Sequence, residues 1–191
     1  EIMPSLVGSE MCIRDRSMNV AAAEITRCVL ERDDKVRILD ADALNIIAGE
    51  HIDYKGSREG QIIITPHIME MSRLTGKTVA DIKEHMIESA KEYAIQHSCI
   101  CILKDARTVV TDGQKVYINC TGNDGMSTGG CGDVLTGLIA GMTAMGLDAF
   151  EAACLSVYVH GKAGDYAASG KGRAGMTAAD ISEAIAYVLK R

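Results

Sequence analysis

At 191 residues the chain fits one domain able to bury a substantial core, and 47% hydrophobic with 24% charged residues is an ordinary globular balance. A net charge of −6, a pI of about 5.4 and the absence of a basic block argue against a nucleic-acid partner, so an anionic ligand must be held by local donors against the overall field. No apolar run reaches the roughly 18 residues of a membrane span, no basic-then-apolar leader is present, and seven cysteines without scaffold spacing point to the reducing cytoplasm.

Residues 1–16 follow no clear periodicity and resemble translated adapter sequence, so they are read as a non-native leader, a native disordered leader being the competing reading, with 17–191 as the folded part. From Asn19 to Glu31 the spacing predicts a helix with Val20, Ile25, Val29 and Leu30 near one face. Lys35 to Asp40 reads as a short strand running into Ala41-Asp42-Ala43-Leu44-Asn45. Carboxylates just past a strand's carboxyl end are where open α/β sheets place ligand-facing residues; for Asp40 and Asp42 a polar turn is the competing reading. Gln61 to Thr65 is a continuous apolar run of buried-strand type, and it feeds His67 onto a strand-to-helix loop before a short helix through Leu74. If the strands are parallel, His67 shares a sheet edge with Asp42, where it is either a ligand contact or a structural histidine.

Thr78 to His97 is predicted as a single helix, with Ile82, Met86, Ala90, Tyr93 and Ala94 at three- and four-residue spacing. Ser98 to Leu103 is another apolar strand, in which Cys99 and Cys101 fall on one face as small core residues rather than metal ligands. Lys104-Asp105-Ala106-Arg107-Thr108 turns into Val109-Val110, and Thr111 to Gln114 makes a hairpin turn to Lys115–Asn119. Coming just before a glycine-rich loop, the Lys104–Thr108 corner either lines a nucleotide or is a solvated turn.

The chain is organised around Thr121 to Gly141, where six of its nineteen glycines fall between Gly122 and Gly137. The loop ends at Gly132, and Asp133 opens an apolar run with helical spacing. Glycines can turn backbone N–H groups toward one point, and a helix start adds unpaired donors and the positive end of its dipole. Gly129, Gly130 and Gly132 are therefore read as an anion hole suited to phosphate. Asp133 could simply cap the helix. Three glycines in four positions exceed what a cap needs, and a carboxylate beside an anion hole is placed to deprotonate a hydroxyl attacking phosphorus, so Asp133 is read as the catalytic base. Three helices follow, at about 132–145, 149–169 and 178–190. Gly137 and Gly141 would let another element pack closely, His160 is read as a core histidine, and Thr177 to Asp180 as a capping-type start. Strands alternating with helices, then a hairpin before a helical tail, make a layered α/β domain with a central, mostly parallel sheet.

The chain resembles the C-terminal part of the ATP- or ADP-dependent NAD(P)H-hydrate dehydratase family, of ribokinase-like fold. The resemblance rests on Leu39 to Asn45, Ile64-Thr65-Pro66-His67 with Glu70, Leu103-Lys104 with Thr108, Asn119 through Gly141, Tyr158 to Asp165 and Gly175 to Ile181, in order over roughly residues 17–191. It implies dehydration of NADH or NADPH hydrated at C6, by phosphorylation of the C6 hydroxyl from ADP or ATP with Mg2+ and elimination of phosphate. It further implies Asp133 as base and substrate contact, His67 at the dinucleotide, and Lys104, Asp105, Ala106, Arg107, Thr108 and Gly132 bordering the nucleotide. A homo-oligomeric intact protein, without membrane or nucleic-acid partner, completes the expectation; the sequence names no metal ligand.

Two departures stand out. Ile68-Met69 replace the family's Pro-Gly after the histidine, and Asp105 replaces its glycine after the lysine. Family domains also carry roughly another hundred residues, with the first strands and a Gly-Pro-Gly loop, before the equivalent of Asn19. The sheet is thus expected to be incomplete on its N-terminal side, and the isolated chain to fold poorly. The rival readings are a superfamily kinase acting on a thiazole or pyrimidine alcohol, and an inactive nucleotide-binding fragment.

Overall fold

The computed structural model describes residues 20–32, 34–56 and 62–190; the leader at 1–16 lies outside the described residues. Three parallel strands, β1 (Arg37–Leu39), β2 (Ile62–Ile64) and β3 (Ile100–Leu103), are joined by antiparallel β4 (Val109–Thr111) and β5 (Val116–Ile118) in sequence order. Leu39 pairs with Ile64, and Ile64 with Cys101, so the carboxyl ends of β1, β2 and β3 lie along one edge.

The helices are α1 (Val20–Glu31), α2 (Asp42–Gly49), α3 (Ile68–Thr75), α4 (Val79–Glu84), α5 (Met86–His97), α6 (Cys131–Ala144), α7 (Ala149–Lys171) and α8 (Ala178–Leu189). Ile62, Ile63 and Ile64 are all buried because helices cover both faces of the sheet. Ile62, Ile64, Cys101 and Leu103 face Leu44, Met71, Ile82 and Tyr93 on one side. Ile63, Ile100, Ile102 and Val110 face Leu135, Ile139, Ala153 and Val157 on the other. A third cluster, including Cys131, Ala163 and Ile181, binds α6, α7 and α8 together. This is the layered α/β architecture expected. No helix among the described residues is long and apolar enough to cross a membrane.

Cys99 and Cys101 sit in the first cluster as core residues, and burial pushes the Cys99 thiol up to about 12. Other expectations need correction. The single helix over 78–97 is two, α4 and α5, divided at His85 (φ −126°, ψ 49°). The His85 N–H closes α4 on Asp81 O while its carbonyl receives Ser89 N–H and opens α5. In α1, Val20 and Ile25 are 75% and 63% exposed, and Ala23 and Thr26 are the buried residues. Gly137 and Gly141 are exposed, and a Cβ at either would meet nothing within 4 Å, so neither serves a close helix contact among the described residues. Helix α2 begins in the stretch read either as a ligand-facing edge or as a polar turn; Ala41 enters it at φ 50°, ψ −113°, a left-handed φ rare for alanine.

Candidate active site

The site is built on the edge where β1, β2 and β3 end. β1 delivers Asp40 and β3 delivers Lys104, whose Nζ donates to Asp40 Oδ1 at 2.9 Å. From α6, Thr136 Oγ1 donates to Asp40 Oδ2 at 3.0 Å. The buried Thr65 hydroxyl lies beside the same carboxylate but outside hydrogen-bond geometry. Burial alone would raise the Asp40 pKa, yet the Lys104 charge and the surrounding hydroxyls outweigh it and hold the carboxyl below its ordinary value. Asp40 is therefore an ionised, half-enclosed hub.

One strand over, the Lys104 N–H donates to Pro66 O at 2.8 Å, and His67 and Lys104 form an isolated parallel bridge. β2 and β3 thus stay paired one step past their ends. His67 is the N-cap of α3: its Nδ1 accepts the Met69 and Glu70 N–H groups at 3.1 Å, while Glu70 Oε2 accepts the His67 N–H at 2.8 Å. Nε2 lies 3.3 Å from Glu70 Oε1. A ring nitrogen accepting two amide protons carries none of its own, so the proton sits on Nε2. Of the two residues replacing Pro-Gly, Ile68 is buried in the core and Met69 is half exposed at 49%.

The glycine-rich loop is seated on α7. Gly122 N–H and Asn123 Nδ2 donate to the two oxygens of Asp165, each at 3.1 Å, and Thr121 Oγ1 donates to Tyr158 O at 3.1 Å. A Cβ at Gly161 would fall 2.2 Å from Thr121 Oγ1 and 2.8 Å from the Thr121 carbonyl; one at Gly164 would fall 2.3 Å from Met126 Sδ. The Gly-Lys-Ala-Gly-Asp run of α7 is thus a cradle for the loop.

The loop enters α6 through Gly130, the N-cap, at φ 92°. Among the described residues no backbone hydrogen bond takes up the amides of Gly129, Gly130 or Gly132. Those of Gly130 and Gly132 are orphan donors of a helix start, at its positive end, and Gly129 lies one residue ahead of the cap. A Cβ on Gly132 would lie 3.5 Å from Asp40 Oδ2 and 3.6 Å from Lys104 Nζ, so the helix start rests directly over the Asp40–Lys104 pair. Asp133 follows in the first turn, exposed. The structure therefore brings together Gly132 and Lys104, with His67 alongside through its bridge to Lys104. It does not gather the rest of the corner: Asp105, Ala106 and Arg107 are exposed, and Thr108 Oγ1 donates back to Asp105 O at 3.3 Å. A shallow depression lined by His51, Arg73, Tyr93 and His97 contains none of these residues.

Sequence reasoning missed the contacts of Thr136 and Asp165, while His160 is enclosed as its reading as a core histidine expects. Thr136 follows Asp133 by one helical turn, a spacing that signals a shared face. His160 Nε2 is buried without a hydrogen-bond partner among the described residues. Burial pushes its pKa down to about 4, the Lys104 charge acts in the same direction, and a contact with the Cys131 backbone opposes both.

The NAD(P)H-hydrate dehydratase family profile (Carb_kinase) matches residues 17–187. The chain is 44% identical over 176 residues to the bifunctional NAD(P)H-hydrate repair enzyme Nnr of Moorella thermoacetica, covering 91% of this chain and 33% of that protein. It is 34% identical to the ADP-dependent (S)-NAD(P)H-hydrate dehydratase of Neisseria meningitidis, covering 90% of this chain and 59% of that one. The ADP/ATP-dependent NAD(P)H-hydrate dehydratase of Bacillus subtilis, co-crystallised with ATP/Mg2+ and soaked with CoA, superposes with a TM-score of 0.75 at 34% identity, over 84% of this chain and 57% of that chain. The chain thus spans between a third and three fifths of the length of these relatives. The family match runs over 171 positions of the sequence, so the chain belongs to the NAD(P)H-hydrate dehydratase family.

Proposed function

We propose that the protein carrying this chain dehydrates C6-hydrated NADH or NADPH at the expense of ADP or ATP. The observation that carries this reading is the start of α6 resting on Lys104, with Gly132 over its ammonium and Asp133 next in the chain. Orphan amides of Gly129, Gly130 and Gly132 with a nearby cation suit the oxygens of a phosphoryl group in transfer. Lys104 to Thr108 border the nucleotide, Lys104 by its charge and the exposed Asp105–Arg107 turn from the solvent side. His67 contacts the dinucleotide, its orientation fixed by the α3 cap.

In this reading Asp133 takes the C6 hydroxyl proton as that oxygen bonds to the terminal phosphorus and the nucleotide's bridging P–O bond breaks. The C6–O bond then breaks with its electron pair leaving on phosphate, while the ring nitrogen pushes and C5 releases a proton, restoring the ring double bond. Mg2+ supplies charge neutralisation at the phosphates when bound. It needs only one or two carboxylates beside those phosphates, and with Asp133 assigned as base the exposed Asp105 is a donor of that type. A net charge of −6 favours a small ligand held by local donors over nucleic acid, and the free thiols of the six described cysteines suit the cytoplasm. A homo-oligomer is part of the same reading and is checked by light scattering.

Incubation with ATP or ADP and hydrated NADH tests it. Release of inorganic phosphate with recovered absorbance of reduced nicotinamide is expected. A stable phosphorylated alcohol would make the protein a kinase, and nucleotide binding without turnover would leave a binding fragment.

A further inference from the structure

We infer that Asp40 is a positioning residue that aims Lys104 and the start of α6 at one phosphate, an inference that rests on the nucleotide-site reading above. Three segments distant in sequence meet on this carboxylate. Lys104 Nζ occupies Oδ1 at 2.9 Å and Thr136 Oγ1 occupies Oδ2 at 3.0 Å, so each oxygen holds a different element. The Gly132 Cα stands directly above, its side-chain direction opening onto Oδ2 and Nζ at 3.5 and 3.6 Å. A lysine tethered at one oxygen keeps its remaining donors for another partner, and the start of α6 stands beside it at Gly132. Untethered, the same ammonium would hydrate and sample many rotamers, and its pull on a phosphate would lose direction.

The backbone at Asp40 is built for this. The next residue, Ala41, is held at φ 50°, ψ −113°, and its carbonyl accepts the Leu44 and Asn45 N–H groups. The strain is therefore clamped by the first turn of α2. The side-chain exposures of Asp40 and Lys104, 13% and 23%, leave the pair covered but reachable from the loop side. Asp40 touches neither the nucleotide nor the substrate in this scheme. It acts through Lys104 and Thr136.

The test is a double-mutant cycle read on binding by calorimetry, with ADP and adenosine as the two probes. Lys104→Met is expected to weaken ADP about tenfold while leaving adenosine unchanged. Asp40→Asn is expected to weaken ADP by about the same factor, again sparing adenosine, and Lys104→Met in the Asp40→Asn background to weaken it by no more than about twofold further. Thr136→Val removes one hydroxyl from the hub and is expected to weaken ADP about threefold, which keeps the test open should Asp40→Asn fold poorly. Unchanged or tighter ADP binding in Asp40→Asn would mean that Asp40 merely neutralises the lysine, and additive effects in the cycle would mean that it acts elsewhere; either overturns the inference. A coupled cycle in a protein that does not dehydrate hydrated NADH would sink the functional reading and keep this one. Turnover with an uncoupled cycle would do the reverse, and a protein with no ADP affinity would end both.

Discussion

Asp40 and Thr136 lie 96 residues apart and are joined by a 3.0 Å hydrogen bond that pins the second turn of α6 to the end of β1. It fixes the height of the glycine loop's exit over the sheet edge, and therefore where Gly132 stands relative to Lys104.

Asp133→Asn keeps the size and polarity of the side chain and removes its basicity. Turnover is expected to fall about 10²–10⁴-fold, with ADP affinity changed little. Steady-state kinetics beside calorimetry make the comparison, and an unaltered turnover number would remove Asp133 from the chemistry.

The cradle on α7 predicts a contrast between two glycines one turn apart. Gly161→Ala drives a methyl against the Thr121 hydroxyl and carbonyl at 2.2 and 2.8 Å, where backbone must move. It is expected to lose about 1–3 kcal/mol or more. Gly164→Ala meets Met126 Sδ at 2.3 Å, a flexible thioether that can swing away. The helix gains about 1 kcal/mol from alanine, so this variant should be near neutral. Urea unfolding of the two proteins decides it, and equal losses would refute the cradle.

His160 predicts a particular acid sensitivity. Its folded pKa is pushed from 6.5 down to about 4, so between those values the unfolded chain binds a proton that the folded chain refuses. Stability therefore rises with pH through this window and is lost as pH falls, by an amount on the order of 3 kcal/mol at most. The charged neighbour acting on the imidazole is Lys104, whose ammonium disfavours a second cation. In His160→Gln the unfolding free energy should vary less with pH across the same window. Parallel curves for the two proteins would show that the histidine titrates normally.

Ala41 sits at a φ that glycine adopts without strain. Ala41→Gly is expected to raise stability by about 1 kcal/mol, and to loosen the aim of Asp40 enough to weaken ADP binding. A thermal melt paired with ADP titration reads both. A destabilised variant would show that the alanine methyl contributes packing that outweighs the strain.

The strands were legible because both faces of the sheet are covered, which turns Ile62–Ile64 and Ile100–Leu103 into unbroken apolar runs. The glycine loop was legible because donor-rich loops need residues that only composition can reveal. The break at His85 was not, since the three- and four-residue spacing runs on from Ile82 to Met86 while the hydrogen bonding does not. Nor was the capping role of His67, because histidine is not among the favoured N-cap residues and Glu70 three positions on was the available clue. Gly137 and Gly141 show the limit of spacing: it places residues on a face without saying what covers that face. The Asp40–Thr136 contact was beyond reach, since nothing local links residues at that separation.

The carboxylate at 40 draws on partners 64 and 96 positions downstream, so it is finished only after β3 has joined the sheet and α6 has docked. Loops of that size close late and together with the packing that rewards them. A half-assembled chain can hold its lysine and aspartate side by side before Gly132 has come to rest beside them. Competence and completion are then one event. On the proposed reading, nucleotide would stabilise the finished protein and lend nothing to its intermediates.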